Sequence, residues 1–186
     1  DSPESYIKTS GQVSGTTYVG GLIGKSENGL TATYCKSLSA VNGSSKFIGG
    51  LIGFLRSSSL EYCFSENVVL AVNSTGVGGL VGNCPMEQVN ISRCYHKGSV
   101  SGRTSVGGLI GFLCKGTVEL SYHKTDGEDT VIGSDNVGGL IGKISAYSNS
   151  KAKVDQCFAY TNVKYAVKYD EDNNGGGLIG CMEFAD

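Results

Sequence analysis

Val19-Gly20-Gly21-Leu22-Ile23-Gly24 is the stretch on which the reading of this chain turns, because it returns five more times. The copies run from Ile48 to Gly53, Val77 to Gly82, Val106 to Gly111, Val137 to Gly142 and Gly175 to Gly180, the last with glycine in place of the leading β-branched residue. The glycine pairs are therefore Gly20 and Gly21, Gly49 and Gly50, Gly78 and Gly79, Gly107 and Gly108, Gly138 and Gly139, and Gly176 and Gly177. Each is closed by a third glycine: Gly24, Gly53, Gly82, Gly111, Gly142 or Gly180. Successive pairs lie 29, 29, 29, 31 and 38 residues apart, and a fixed period of this size is the signature of a repeat architecture.

A looser element precedes each hexapeptide. Its clearest copy is Cys94-Tyr95-His96-Lys97-Gly98-Ser99-Val100-Ser101-Gly102, with related stretches at Tyr34-Cys35, Cys63-Phe64, Ser121-Tyr122 and Cys157-Phe158 and a partial one at Ser5-Tyr6. Extra length in the late copies falls in the acidic segments Thr125 to Thr130 and Tyr169 to Asn174, and in Ser145 to Lys153. Loops that grow in only some repeats usually project from one face, where binding often resides.

Each repeat holds about three short β-branched or aromatic segments; in the third these are Leu60 to Phe64, Val68 to Val72 and Val77 to Val81. Segments of this length bounded by turn formers read as strands. The expected fold is all-β: a parallel β-solenoid of six repeats of 29 to 38 residues forming a single domain over residues 1–186, with coils stacked ~4.8 Å apart. A β-prism or propeller is the competing architecture. Strict alternation sets the Val77 and Val81 columns opposite the Leu80 column, so either the glycines bend both inward or leucines line the exterior.

Composition narrows the function. Glycine fills 29 of 186 positions, and 15 basic residues face 17 acidic ones for a net charge of −2. A polybasic nucleic-acid surface is not expected. No apolar run reaches the ~18 residues of a membrane span, so insertion is not expected. The glycines lack the three-residue period of collagen.

The pairing of Gly-Gly-Leu-aliphatic-Gly with a Cys-Tyr-x-x-Gly-x-Val-x-Gly element resembles the GLUG repeat, over roughly Ser5 to Gly180. That motif occurs in tandem in bacterial surface proteins, including adhesin-like proteins and streptococcal IgA-cleaving metallopeptidases. The resemblance implies an extracellular or cell-surface β-rich scaffold and says little about chemistry. The peptidases' His-Glu-x-x-His motif has no counterpart here, since lysine follows both His96 and His123.

Several columns carry reactive or sticky side chains. His96 and His123 occupy equivalent positions and would lie within ~5 Å of each other, a distance set by strand spacing. Two imidazoles fall short of a zinc set, so they are expected as a solvated pair near turns. Glu61, Glu119 and Asp155 form a carboxylate column whose last two members would be neighbours, as in glycosidases. An outward strand face looks the same. Tyr6, Phe64, Tyr95, Tyr122 and Phe158 form an aromatic column that stabilises stacked strands and offers Tyr95, Tyr122 and Phe158 as glycan or partner contacts.

Cys35, Cys63, Cys94 and Cys157 share a column with Ser121, which suggests small buried residues rather than obligatory disulfides. Cys84, Cys114 and Cys181 follow the hexapeptide and suit bridges between coils; seven thiols leave at least one over. Asn42, Asn73 and Asn90 head N-glycosylation sequons. No cofactor, metal or catalytic residue is expected: no helix or lysine follows the glycine pairs in the pattern a phosphate loop requires, and the aspartate of calcium-binding repeats is absent.

A solenoid exposes an unpaired edge at each end, and no cap is visible in the sequence. The expected partners are therefore a second copy stacked end to end or flanking repeats of a longer array, with a surface glycan or receptor as a further partner. The leading expectation is a non-enzymatic extracellular stalk, adhesin segment or fibre subunit. A glycan-binding module comes second and a carbohydrate-processing β-helix third.

Overall fold

The computed structural model describes residues 6–147, 151–166 and 174–185; Ser5, residues 148–150 of the segment Ser145 to Lys153, and all but the last residue of the segment Tyr169 to Asn174 lie outside it. Every strand pairing is parallel, and the strands stack as the expected β-solenoid. In the fourth turn the strands are Tyr95–Lys97, Val100–Ser101, Thr104–Gly107, Ile110–Leu113 and Gly116–Glu119. These define five columns, numbered here in chain order. The three strand-forming segments of each repeat divide into five because two corners cut strands only two to four residues long. In the first two turns the second and third columns are still one strand, Gln12–Gly20 and Ala40–Gly49.

The register is that of the hexapeptide itself. Gly20, Gly49, Gly78, Gly107, Gly138 and Gly176 pair in series. So do Ile23, Ile52, Val81, Ile110, Ile141 and Ile179. The glycine pair forms the corner between the third and fourth columns. Because the chain turns there, valine before the pair and leucine after it both point inward: Val77, Leu80 and Val81 are all 0% exposed. The leucine column is buried through the middle turns at Leu51, Leu80, Leu109 and Leu140.

Steric contact explains why this corner needs glycine. A Cβ on Gly78 would collide with the Val81 carbonyl, and one on Gly79 with the His96 ring and the Gly108 carbonyl of the next turn. Gly108 meets the His123 ring in the same way, and Gly21 the Ser37 hydroxyl. The corner therefore touches the first column across the interior and pinches the cross-section in two. On one side lies a valine lobe of Val41, Val69, Val77, Val100, Val106, Val131 and Val137. On the other lies a larger lobe of leucine, isoleucine and cysteine from the fourth and fifth columns.

Two other corners use the left-handed backbone region. Tyr18, Phe47, Gly76, Ser105 and Asn136 precede the hexapeptide with φ of 57, 61, 69, 54 and 51°. Tyr34, Tyr62, Arg93, Leu120 and Gln156 precede the cysteine column with φ of 54, 51, 52, 49 and 49°. For residues other than glycine this conformation costs roughly 1–2 kcal/mol each. It is repeated because each turn must bend at the same place as its neighbour to keep the ladders paired.

Gly79→Ala and Gly177→Ala change the same position of the hexapeptide in different turns. The first forces a methyl into imidazole and backbone, whereas nothing lies within 4 Å of the Cβ position at Gly177. Urea denaturation should show Gly79→Ala losing about 3 kcal/mol or more and Gly177→Ala less than about 1 kcal/mol. Equal losses would refute the pinch.

Candidate functional site

The first column is the chemically richest part of the molecule. Its strands are three residues long and alternate strictly: Tyr95 and Lys97 look outward, His96 inward. His96 and His123 are in register, their rings stacked with centroids 5.0 Å apart. The proximity expected from strand spacing is present, but the pair is not solvated: both side chains are 0% exposed. The correction has a physical cause. The missing side chains of Gly79 and Gly108 leave room for two imidazoles, and the Asn67 carbonyl gives His96 a partner.

The hydrogen bonds order this pair. His96 Nε2–H donates to the Asn67 carbonyl at 3.1 Å, which leaves Nδ1 to accept from His123 Nδ1–H at 3.1 Å. Asn67 Nδ2 continues the chain to the Gly50 carbonyl at 2.9 Å and the Ser37 hydroxyl at 3.3 Å. Ser65, the residue before these in the column, donates to the Gly79 carbonyl at 2.7 Å. His123 Nε2 is buried without a partner. Burial pushes His96 down to about 4. Burial, reinforced by the charge His96 would carry, pushes His123 lower still. Neutral imidazoles could ligate a metal, but no third His, Cys, Asp or Glu joins them among the described residues.

Outside, the aromatic column is continuous from Phe64 to Phe158, but Tyr6 is not in its register: the strand pairing puts Lys36 and Lys8 at the equivalent positions of the two turns before Phe64. Phe64, Tyr95, Tyr122 and Phe158 stack face to face, with centroids 4.5, 5.0 and 4.8 Å apart, and Tyr6 meets Phe64 edge-on at 4.8 Å. The faces of Tyr95 and Tyr122 are thus covered by their neighbours, leaving edges and hydroxyls outward. Phe158, at the end of the row, is 54% exposed. Tyr95 donates to Glu66 Oε1 at 2.9 Å, and Lys36 Nζ lies 2.9 Å from Oε2 of the same carboxylate. Partial burial opposes ionisation of Glu66, but these two bonds outweigh it and hold the carboxyl below its usual range.

The carboxylate column stands on the outward face of the fifth column, with Glu119 beside Asp155 in register. Glu61 pairs with Arg93 at 3.1 Å and Asp155 with Lys153 at 3.0 Å. Of the sequon asparagines, Asn73 and Asn90 are exposed and Asn42 is half-buried. The Thr125 to Thr130 segment borders a cleft of about 360 Å³ with Tyr160, Thr161 and Asn162.

The cysteine column turns out to be hydrogen-bonding hardware at the left-handed corner. Cys63 N–H donates to the Cys94 sulfur at 3.4 Å, and Cys94 N–H to the Ser121 hydroxyl at 3.0 Å. Those groups in turn donate to the carbonyl two residues earlier: Cys94 to Ser92 at 3.1 Å, Ser121 to Glu119 at 2.7 Å. Serine replaces cysteine because either supplies one small donor and acceptor. Cys84 and Cys114 are buried in adjacent turns, where Cys114 N–H donates to the Cys84 carbonyl at 2.9 Å.

Among solved structures, the chain is similar to the crystal structure of a putative immunoglobulin A1 protease from Bacteroides ovatus, at TM-score 0.60 and 17% identity. The match covers 96% of this chain and 66% of that one, so this chain spans about two thirds of that protein's length. At this identity the likeness carries the solenoid fold alone. No family model matches the chain, and no curated protein matches it in sequence.

Two measurements check the interior. Unfolded histidine takes a proton near 6.5, whereas folded His96 resists until about 4. Stability tied to the neutral pair is therefore complete above pH 6.5 and lost as pH falls toward 4, by about 3 kcal/mol from His96. Urea midpoints at pH 7.5 and 4.5 should show this loss, and replacing both His96 and His123 with serine should flatten it. At the corner, Ser121→Ala should cost roughly 1–3 kcal/mol by orphaning Cys94 N–H, while Ser121→Cys should cost less.

Proposed function

We propose that this chain is a non-enzymatic structural and adhesive segment of an extracellular or cell-surface β-solenoid, serving as stalk, adhesin segment or fibre subunit. The supporting observation is the state of the last turn. Leu178 continues the leucine column that is fully buried at Leu140, yet is 38% exposed, and Phe158 offers a free ring face beyond the stacked row. Among the described residues, none covers these core positions of the interior register. Another coil in that register would bury them and extend every ladder at once. A second copy or a flanking repeat would supply it.

The mechanism in this reading is mechanical. Backbone ladders run the length of the rod, and pulling along it must break paired strands over several columns together. The carboxylates at Glu119 and Asp155 act as an outward polar face, one of them tied to Lys153.

Sedimentation and negative-stain microscopy, with and without reductant, test the assembly. Concentration-dependent stacks with an axial repeat of about 29 Å, six strand spacings of ~4.8 Å, are expected, and Leu178→Asp should abolish them. A wild-type chain that stays monomeric at its highest soluble concentration would defeat self-assembly. Glycan hydrolysis that disappears in Glu119→Gln would overturn the non-enzymatic reading.

A further inference from the structure

Two aromatic rows run side by side on the outside of the first four turns. One is the outward row of the first column. The other sits at the neighbouring left-handed corner, where Tyr34 and Tyr62 stack at 5.1 Å and the Arg93 guanidinium lies 5.5 Å from the Tyr62 ring centre. Between them is a groove of about 420 Å³ lined by Tyr6, Lys36, Tyr62, Phe64, Arg93 and Tyr95. Its size falls in the ~300–1,000 Å³ range of small-ligand sites. We propose that this groove binds a neutral sugar of one or two pyranose units.

The lining selects that chemistry. Apolar wall comes from Tyr6 and from the ring edges of Tyr62, Phe64 and Tyr95, whose faces are taken by neighbouring rings, Lys36 and Arg93, and the C–H groups of a sugar pack against it. Polar wall comes from Lys36 and Arg93, each already neutralised, Lys36 by Glu66 at 2.9 Å and Arg93 by Glu61 at 3.1 Å. An anionic ligand would have to break these pairs or meet Glu61 and Glu66 unshielded. A neutral polyol does neither. An ammonium carries three donors and a guanidinium five, so both retain N–H groups for hydroxyl oxygens. The two carboxylates retain lone pairs to accept hydroxyl protons.

The site is also held in place before any ligand arrives. Tyr62 is fixed against Tyr34, Tyr95 is stacked on Phe64 and bonded to Glu66, and Tyr6 stands across the row at 73° to Phe64 and closes one end. Little side-chain freedom remains to be lost on binding. The sequence confines the groove to these turns, because the corner positions that follow Arg93 are Leu120 and Gln156. The glycan contacts expected at Tyr95, Tyr122 and Phe158 thereby shift toward the earlier turns: Tyr95 remains and Tyr62 joins it.

This deepens the adhesive half of the function proposed above and is independent of end-to-end stacking, which sedimentation reads separately. A glycan array carrying neutral and sialylated oligosaccharides is followed by titration calorimetry with lactose, maltose, cellobiose and 3′-sialyllactose at low and high salt. The expected result is saturable, salt-insensitive binding of at least one neutral disaccharide. Tyr62→Ala should weaken it by about tenfold or more, Tyr62→Phe should retain most of it, and Phe158→Ala should leave it unchanged. Thermal melts establish that each variant is folded. Absence of binding to every neutral probe, binding of the sialylated probe alone, or equal affinity in folded Tyr62→Ala would each overturn the proposal.

Discussion

Each turn of this protein must lie on the next with its backbone in register, and the rest of the structure follows from that constraint. A parallel ladder leaves ~4.8 Å between neighbouring strands, so every side chain meets its own equivalent one turn away. Corners have to recur at the same place in every turn. This is why, among the described residues, nine residues other than glycine accept positive φ at the two recurring corners, including Tyr34, Tyr62 and Leu120, which would avoid it in isolation. Losing a ladder bond in every turn would cost more than the strain at the bend.

The same constraint explains the division of the interior. A cross-section with five short sides would leave a wide core for such small residues to fill. The glycine pair removes that problem by bringing the backbone of one corner against the first column. Two narrow lobes result, one packed by valine and one by leucine, isoleucine and cysteine. Polar residues survive at the pinch because glycine carbonyls there accept from Ser65 and Asn67. The buried histidine pair extends this polar seam by two turns. It leaves His123 Nε2 unsatisfied, which makes the seam the part of the core most sensitive to acid.

Much of this was legible in the sequence, for reasons visible at particular residues. The 29-residue spacing of Gly20, Gly49, Gly78 and Gly107 implied the register that the strands adopt. The exchange of Ser121 into the cysteine column pointed to a small buried role. What stayed hidden was set by contacts between turns. Tyrosine and leucine at left-handed corners give no local signal, since their own preference is against that conformation. The histidines are buried although Tyr-His-Lys looks like an outward polar run. Alternation held the answer: an outward Tyr95 sends His96 inward. Five columns replaced about three because the left-handed Tyr62 cuts the Leu60 to Phe64 segment and the glycine pair cuts the Val77 to Val81 segment, bends that the composition of those segments does not announce.

Columns also decide where a solenoid can bind anything. Along one column, aromatic rings approach to 4.5–5.0 Å and cover each other's faces. Lengthening such a row adds stiffness and almost no accessible ring surface. Concavity appears where two columns diverge at a corner and both carry large side chains, as Tyr62 and Arg93 do beside Phe64 and Tyr95. The repeat therefore supplies the rod, and departures from the repeat at a single corner supply the groove. A sequence search for sites in such proteins gains more from comparing adjacent columns at one turn than from following any one column down the chain.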